Sequence, residues 1–120
     1  METIFVVDDA DTNLLRARQA LEAGYRVLTM PSAAKMFALL EKIIPDMILL
    51  DIEMPEMDGF AALEKLAQNE RTAKIPVIFL TAQADTAIEA KGLELGAVDF
   101  ISKPFSETVL LNKIVSHIKT

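Results

Sequence analysis

Four short apolar runs in this chain each lead into a residue that carries reactive polar chemistry. Ile4-Phe5-Val6-Val7 runs into Asp8-Asp9, Met47-Ile48-Leu49-Leu50 into Asp51, Val77-Ile78-Phe79-Leu80 into Thr81, and Phe100-Ile101 closes on Lys103-Pro104. Strands that are apolar throughout, rather than alternating, are buried on both faces, which is the mark of a parallel sheet covered by helices. All strands of such a sheet end along one edge, and ligands bind outside that edge. Three aspartates, a threonine and a lysine are therefore expected to converge there. Carboxylates suit a hard divalent cation, a carboxylate can act as a nucleophile that carries phosphate, and an ammonium balances the charge that develops.

The strands read as Ile4 to Val7, Tyr25 to Thr29, Met47 to Leu50, Ile75 to Leu80 and Asp99 to Ile101, and segments with helical spacing separate them. Helix 1 is predicted over Asp11 to Ala23 with Gly24 as its stop, and helix 2 begins at a Ser32 cap after Pro31. Helix 3 starts near an Asp58 cap, helix 4 runs from about Asp85 to Leu95 and ends at Gly96, and helix 5 fills Ser106 to Lys119. Leu110, Ile114 and Ile118 recur at i, i+4 and i+8 in helix 5 and form a core-facing stripe. The fold class is α/β, a doubly wound (βα)5 arrangement. No linker, low-complexity stretch or repeat interrupts the 120 residues, so residues 1–120 are expected to form a single domain.

A net charge of −6, spread without an acidic tail or a basic run, excludes nucleic acid and anionic membrane as direct main partners. The absence of cysteine excludes disulfides and thiolate metal sites. No signal peptide is visible and no apolar run approaches the ~20 residues that span a bilayer, so a cytoplasmic protein is expected.

Each polar residue has a structural alternative. Asp8-Asp9 can hold a cation, or one of them can cap helix 1. Asp51 can be a nucleophile or the first polar residue of a loop; the stiffening of that loop by Pro55 and Gly59 favours a site. Thr81 can donate to a phosphoryl oxygen or cap a helix, and a cis Lys103-Pro104 bond would aim the lysine inward. The single histidine, His117, reads as a solvated surface residue, and Gly92 interrupts helix 4 at a cost of about 1 kcal/mol relative to alanine.

Taken in order, Asp8-Asp9, Asn13, Asp51, Met54-Pro55-x-Met57-Asp58-Gly59, Thr81-Ala82, Gly96-Ala97-x-Asp99-Phe100 and Lys103-Pro104-Phe105 resemble the receiver domain of two-component response regulators across the whole chain. The resemblance implies a flavodoxin-like five-stranded parallel sheet in the order 2-1-3-4-5. It makes Asp51 the phosphoacceptor, with Mg²⁺ organised by Asp8, Asp9, Asp51 and the backbone carbonyl of Glu53. Lys103 pairs with the phosphoryl group, Thr81 is the switch hydroxyl, and Phe100 holds the aromatic switch position, where an ordinary core residue is the alternative. Phenylalanine lacks the hydroxyl of the tyrosine common at that position. Glu53 and Gln83 occupy places that modulate access of water to the acyl phosphate.

The implied partners are a sensor histidine kinase or phosphotransfer protein and an unspecified effector, with possible dimerisation through helix 4, strand 5 and helix 5. The implied role is a switch that catalyses only its own phosphorylation and slow self-dephosphorylation. One rival is a receiver-like interaction module that works without phosphorylation. Another is an aspartyl-phosphate phosphatase of the haloacid-dehalogenase kind, but those enzymes carry a DxD motif after the first strand. A dinucleotide-binding reading fails for want of a G-x-G-x-x-G motif.

Overall fold

The structure, a computed structural model, describes residues 1–83 and 85–118. Five strands, β1 (Thr3–Val7), β2 (Arg26–Met30), β3 (Met47–Asp51), β4 (Val77–Thr81) and β5 (Asp99–Ser102), alternate with five helices. The helices are α1 (Asp11–Leu21), α2 (Ala33–Leu40), α3 (Gly59–Ala67), α4 (Thr86–Leu95) and α5 (Glu107–His117). The sheet is parallel throughout and its order is β2-β1-β3-β4-β5, as the resemblance implies.

Successive side chains of a strand point to opposite faces, and here each face meets its own helices. Phe5, Val7, Ile48, Leu50 and Phe79 pack with Met36, Leu40, Ala62, Leu63 and Leu66 of α2 and α3. Ile4, Val6, Leu49, Ile78 and Leu80 pack with Leu14, Ala17 and Leu21 of α1 and with Leu110 and Ile114 of α5. Both faces of β3 and β4 are therefore buried along their whole length, which accounts for their unbroken apolar runs.

Capping follows the sequence at most helix starts. Ser32, Asp58, Asp85 and Ser106 each accept a backbone N–H three residues on, from Lys35, Ala61, Ile88 and Val109. Helix α1 differs: its N-cap is Ala10 and no side chain caps it, so neither Asp8 nor Asp9 serves as cap. It also ends at Leu21, ahead of the expected Ala23, and the turn that follows carries Gly24 without a positive φ. Gly96 does end α4 in the left-handed region, with φ 112°. Strand β4 begins at Val77 rather than Ile75, because Pro76 has no N–H to give the ladder. The expected end of helix 5 at Lys119 lies outside the described residues; α5 is helical to His117, with Leu110 and Ile114 fully buried and Ile118 partly so.

Gly92 has a packing reason. A Cβ there would lie 2.4 Å from the tip of the Phe100 ring, so α4 and β5 approach only because that position is bare. Gly92→Ala is expected to gain about 1 kcal/mol of helix propensity and to lose about 1.5–3 kcal/mol by evicting Phe100. The net loss of roughly 1 kcal/mol is readable as a lower urea midpoint, and Phe100→Ala in that background should then cost little more.

Candidate active site at the carboxyl edge of the sheet

Asp51 is the last residue of β3, paired in register with Leu80, and its side chain is fully buried. Asp8 follows β1 directly and is equally buried, while Asp9 is exposed. Asp8 is held from three sides: Oδ1 accepts from the Ala10 N–H at 2.9 Å, and Oδ2 accepts from Asn13 Nδ2 and from Lys103 Nζ, both at 3.2 Å. Lys103 reaches in from the turn after β5, where its bond to Pro104 is cis. Its ammonium also donates to Asp51 Oδ1 at 2.8 Å, and that oxygen accepts the Glu53 N–H at 3.2 Å. Lys103 is thus the bridge between two buried carboxylates.

The other oxygen of Asp51, Oδ2, is buried and is the one buried side-chain polar atom without a partner among the described residues. Such an orphan costs free energy unless something meets it. The electrostatics agree. Burial raises the Asp51 pKa, Lys103 pulls it back, and the Asp8 charge raises it again, leaving it at about 7. Burial alone would lower the Lys103 ammonium, yet its hydrogen bond to Asp51 and the charges of Asp8 and Asp51 outweigh that and raise it.

Asp8, Asp9 and Asp51 each offer an oxygen, all within 4.8 Å of one another. An all-carboxylate set with an unmet buried oxygen fits a hard divalent cation such as Mg²⁺, and offers nothing to a soft one.

Thr81 ends β4 beside this group and is fully buried. It caps no helix; α4 takes Asp85 instead. Its hydroxyl donates to Glu53 Oε2 at 2.9 Å and accepts the Gln83 N–H at 3.0 Å, while Glu53 Oε1 accepts the Ala82 N–H at 3.2 Å. This two-point grip by the Glu53 side chain has no counterpart in the sequence, where the family resemblance implies only its backbone carbonyl as a metal ligand and its place on the approach of water. The signal available was an acid two residues beyond Asp51, level with a strand-end hydroxyl.

The loop after β3 is held tight. The Gly59 N–H donates to Ile52 O at 2.9 Å, and a Cβ on Gly59 would lie 2.6 Å from Asp51 O. Phe100 is buried, meeting Phe79 edge-to-face at 5.6 Å, and Phe79 meets Phe60 likewise at 5.4 Å. The sheet thus gathers Asp8, Asp9, Asp51, Glu53, Thr81 and Lys103, with Phe100 one strand away against α4.

His117 stands apart from that group. Its Nε2 lies 2.9 Å from an oxygen of Asp99, the first residue of β5 and so at the opposite edge of the sheet; Lys113 donates to the same carboxylate. Burial alone would raise the Asp99 carboxyl; the bonds from Lys113, the Phe100 N–H and His117 outweigh it and lower it. His117 is therefore a paired, half-buried residue rather than a fully solvated one.

Comparison with known proteins leads to the same place. The family profile described as the response regulator receiver domain matches residues 4–115. Response regulator PleD of Caulobacter vibrioides is 39% identical over 115 residues, which cover 94% of this chain and 25% of PleD. Protein PilH of Pseudomonas aeruginosa is 35% identical over 115 residues, 95% of each chain. Among solved structures, the chemotaxis protein CheY4 of Vibrio cholerae superposes with a TM-score of 0.90 at 26% identity, covering 99% of both chains. The chain spans about a quarter of PleD, and of a Vibrio cholerae relative it spans 26%. Among the described residues no helix is long and apolar enough to cross a membrane. With a match running from β1 into α5 and more than a third of aligned residues shared with each of two relatives, the chain belongs to the response regulator receiver domain family.

Proposed function

We propose that residues 1–120 act as one phosphoacceptor receiver domain of a two-component system in the cytoplasm, with Asp51 the residue that is phosphorylated. The single observation that carries this reading is the state of Asp51: a fully buried carboxylate with Oδ1 pinned by Lys103 and Oδ2 unmet. The donor is a phosphohistidine of a sensor histidine kinase or phosphotransfer protein. An Asp51 oxygen attacks phosphorus, the P–N bond breaks as the P–O bond forms, and the imidazole leaves. Asp8, Asp9 and Asp51, with the Glu53 carbonyl, would hold Mg²⁺, whose chemistry is to neutralise the charge on the transferring phosphoryl oxygens.

The chain's own residues do the rest. Lys103 sits between Asp8 and Asp51 and moves little to meet a phosphoryl oxygen; Thr81 and the Ala82 N–H face the same crevice from β4. Charge on Asp51 shifts an equilibrium only by contacts that differ between its two states, and Thr81 with Phe100 carries that difference towards α4. Leu93 and Val98, exposed at α4 and before β5, supply apolar surface for an effector or a second copy on the α4, β5 and α5 face.

Incubation with a small-molecule phosphodonor and Mg²⁺ should add one phosphoryl group per chain by intact mass, and EDTA should prevent it. No mass change in either condition would leave the phosphorylation-independent module as the better account.

A further inference from the structure

Glu53 does something the phosphoacceptor reading does not require. Its carboxylate takes a hydrogen bond from the Thr81 hydroxyl on one oxygen and from the Ala82 N–H on the other. Those two donors stand at the end of β4, next to the strand that ends in Asp51, whose Oδ2 is unmet. A hydroxyl and a backbone N–H at that strand end are donors of the kind a tetrahedral anion on Asp51 would draw on. In the unmodified protein they are already engaged, by a planar anion supplied from the neighbouring strand end. The backbone N–H of the same residue meanwhile donates to Asp51 Oδ1, so Glu53 is anchored to the acceptor it shadows.

We propose that the Glu53 carboxylate is an internal stand-in for phosphoryl oxygens. It holds Thr81 and Ala82 in their anion-bound arrangement while Asp51 is free, and it must swing out when a phosphoryl group arrives. Glu53 is exposed, so its two bonds can be replaced by water or by a phosphoryl oxygen without leaving a buried charge behind. That makes the contact a displaceable gate rather than a lock. Two results follow. Uptake at Asp51 is opposed both by competition for the same donors and by like charge from the departing carboxylate. The Thr81 side of the switch is also partly set before phosphorylation, because its hydroxyl already donates to a carboxylate. The inference rests on Asp51 being the phosphoacceptor.

The test uses the full chain with Mg²⁺ and beryllofluoride, compared in wild type, Glu53→Gln and Glu53→Ala by amide NMR and hydrogen exchange. Without beryllofluoride, the Ala82 amide of Glu53→Ala should shift and exchange about tenfold faster, since its acceptor is gone. With it, the half-saturating beryllofluoride concentration should fall about five- to tenfold in Glu53→Ala, with Glu53→Gln in between because it keeps an acceptor and loses the charge. At saturation the Ala82 amide should look alike in all three proteins. The isosteric glutamine guards against a folding defect, as does the exposure of the side chain. Equal or weaker beryllofluoride binding in Glu53→Ala, or an unmoved Ala82 amide in its free form, would overturn the stand-in alone. No binding in any of the three proteins would overturn the phosphoacceptor reading and the stand-in with it.

Discussion

Asp51→Asn is expected to abolish phosphoryl uptake and, in metal-free protein at pH 7.5, to raise stability by roughly 1–3 kcal/mol. The first half follows from the nucleophile: an amide oxygen with no charge does not attack phosphorus at a useful rate, and Asp8 has both of its oxygens engaged by Ala10, Asn13 and Lys103. The second half follows from the raised pKa. In the unfolded chain Asp51 ionises near 3.8, and in the fold at about 7. Between those values the folded protein keeps a proton the unfolded chain has lost, so stability falls as pH rises through that window and the full cost is present above it.

Asparagine removes the cost but also one partner of Lys103, which keeps Asp8. The gap between variant and wild type, read as urea midpoints in EDTA, should widen from pH 4 to pH 7.5. Asp99, whose pKa is lowered, contributes stability that is lost only as pH falls below about 3.8, outside that window. A gap independent of pH would show that Asp51 is not held protonated by the fold. Mg²⁺ should reverse the ranking, because the cation stabilises wild type by mass action and finds a poorer ligand in the variant.

Gly59→Ala should destabilise the fold although the residue has no chemistry of its own. The three atoms nearest the added Cβ would all be main chain: Asp51 O at 2.6 Å, Ile52 Cα at 2.8 Å and Asp51 C at 3.1 Å. No rotamer change relieves that, so β3 and α3 must separate, and the Gly59 N–H to Ile52 O bond is strained with them. Overpacking of about 1–3 kcal/mol and a weakened hydrogen bond of about 1 kcal/mol outweigh the gain in helix propensity of up to about 1 kcal/mol. A net loss of roughly 2–3 kcal/mol in urea unfolding is expected, along with weaker beryllofluoride binding, since the strand end that moves carries Asp51. Gly24→Ala is the control: nothing lies within 4 Å of its Cβ, and its effect should be small.

These two positions also show what could be read from the chain. The placement of Asp51 at a strand end was legible because β3 is buried on both faces and must be apolar throughout, so the first charge marks the edge of the sheet. The stiffness around Pro55 and Gly59 was legible as composition, but the reason for Gly59, a main-chain oxygen 2.6 Å away, was not. The apolar stripe of α5, the caps at Ser32 and Asp58 and the starts of α4 and α5 near Asp85 and Ser106 came straight from periodicity and residue type. The end of α1 did not, since the signal used there was a glycine that the turn after α1 does not place at positive φ.

What the sequence determined by itself was the class of fold and the convergence of three aspartates, a threonine and a lysine at one edge, because both follow from local rules: burial dictates apolar strands, and parallel strands end together. The strand order came from family resemblance and is borne out by the pairing of β1 with both β2 and β3. Only the tertiary structure decided which atoms meet. Lys103 spanning Asp8 and Asp51, the Phe100 ring over Gly92 and the Glu53 carboxylate on Thr81 and Ala82 all join residues from different elements, and the same packing leaves Asp51 Oδ2 unmet. Their separations along the chain, 95 residues for Lys103 to Asp8, carry no pattern that a sequence can display. Distances of about 3 Å are set by how the sheet twists and how its helices pack, and those are properties of the whole fold.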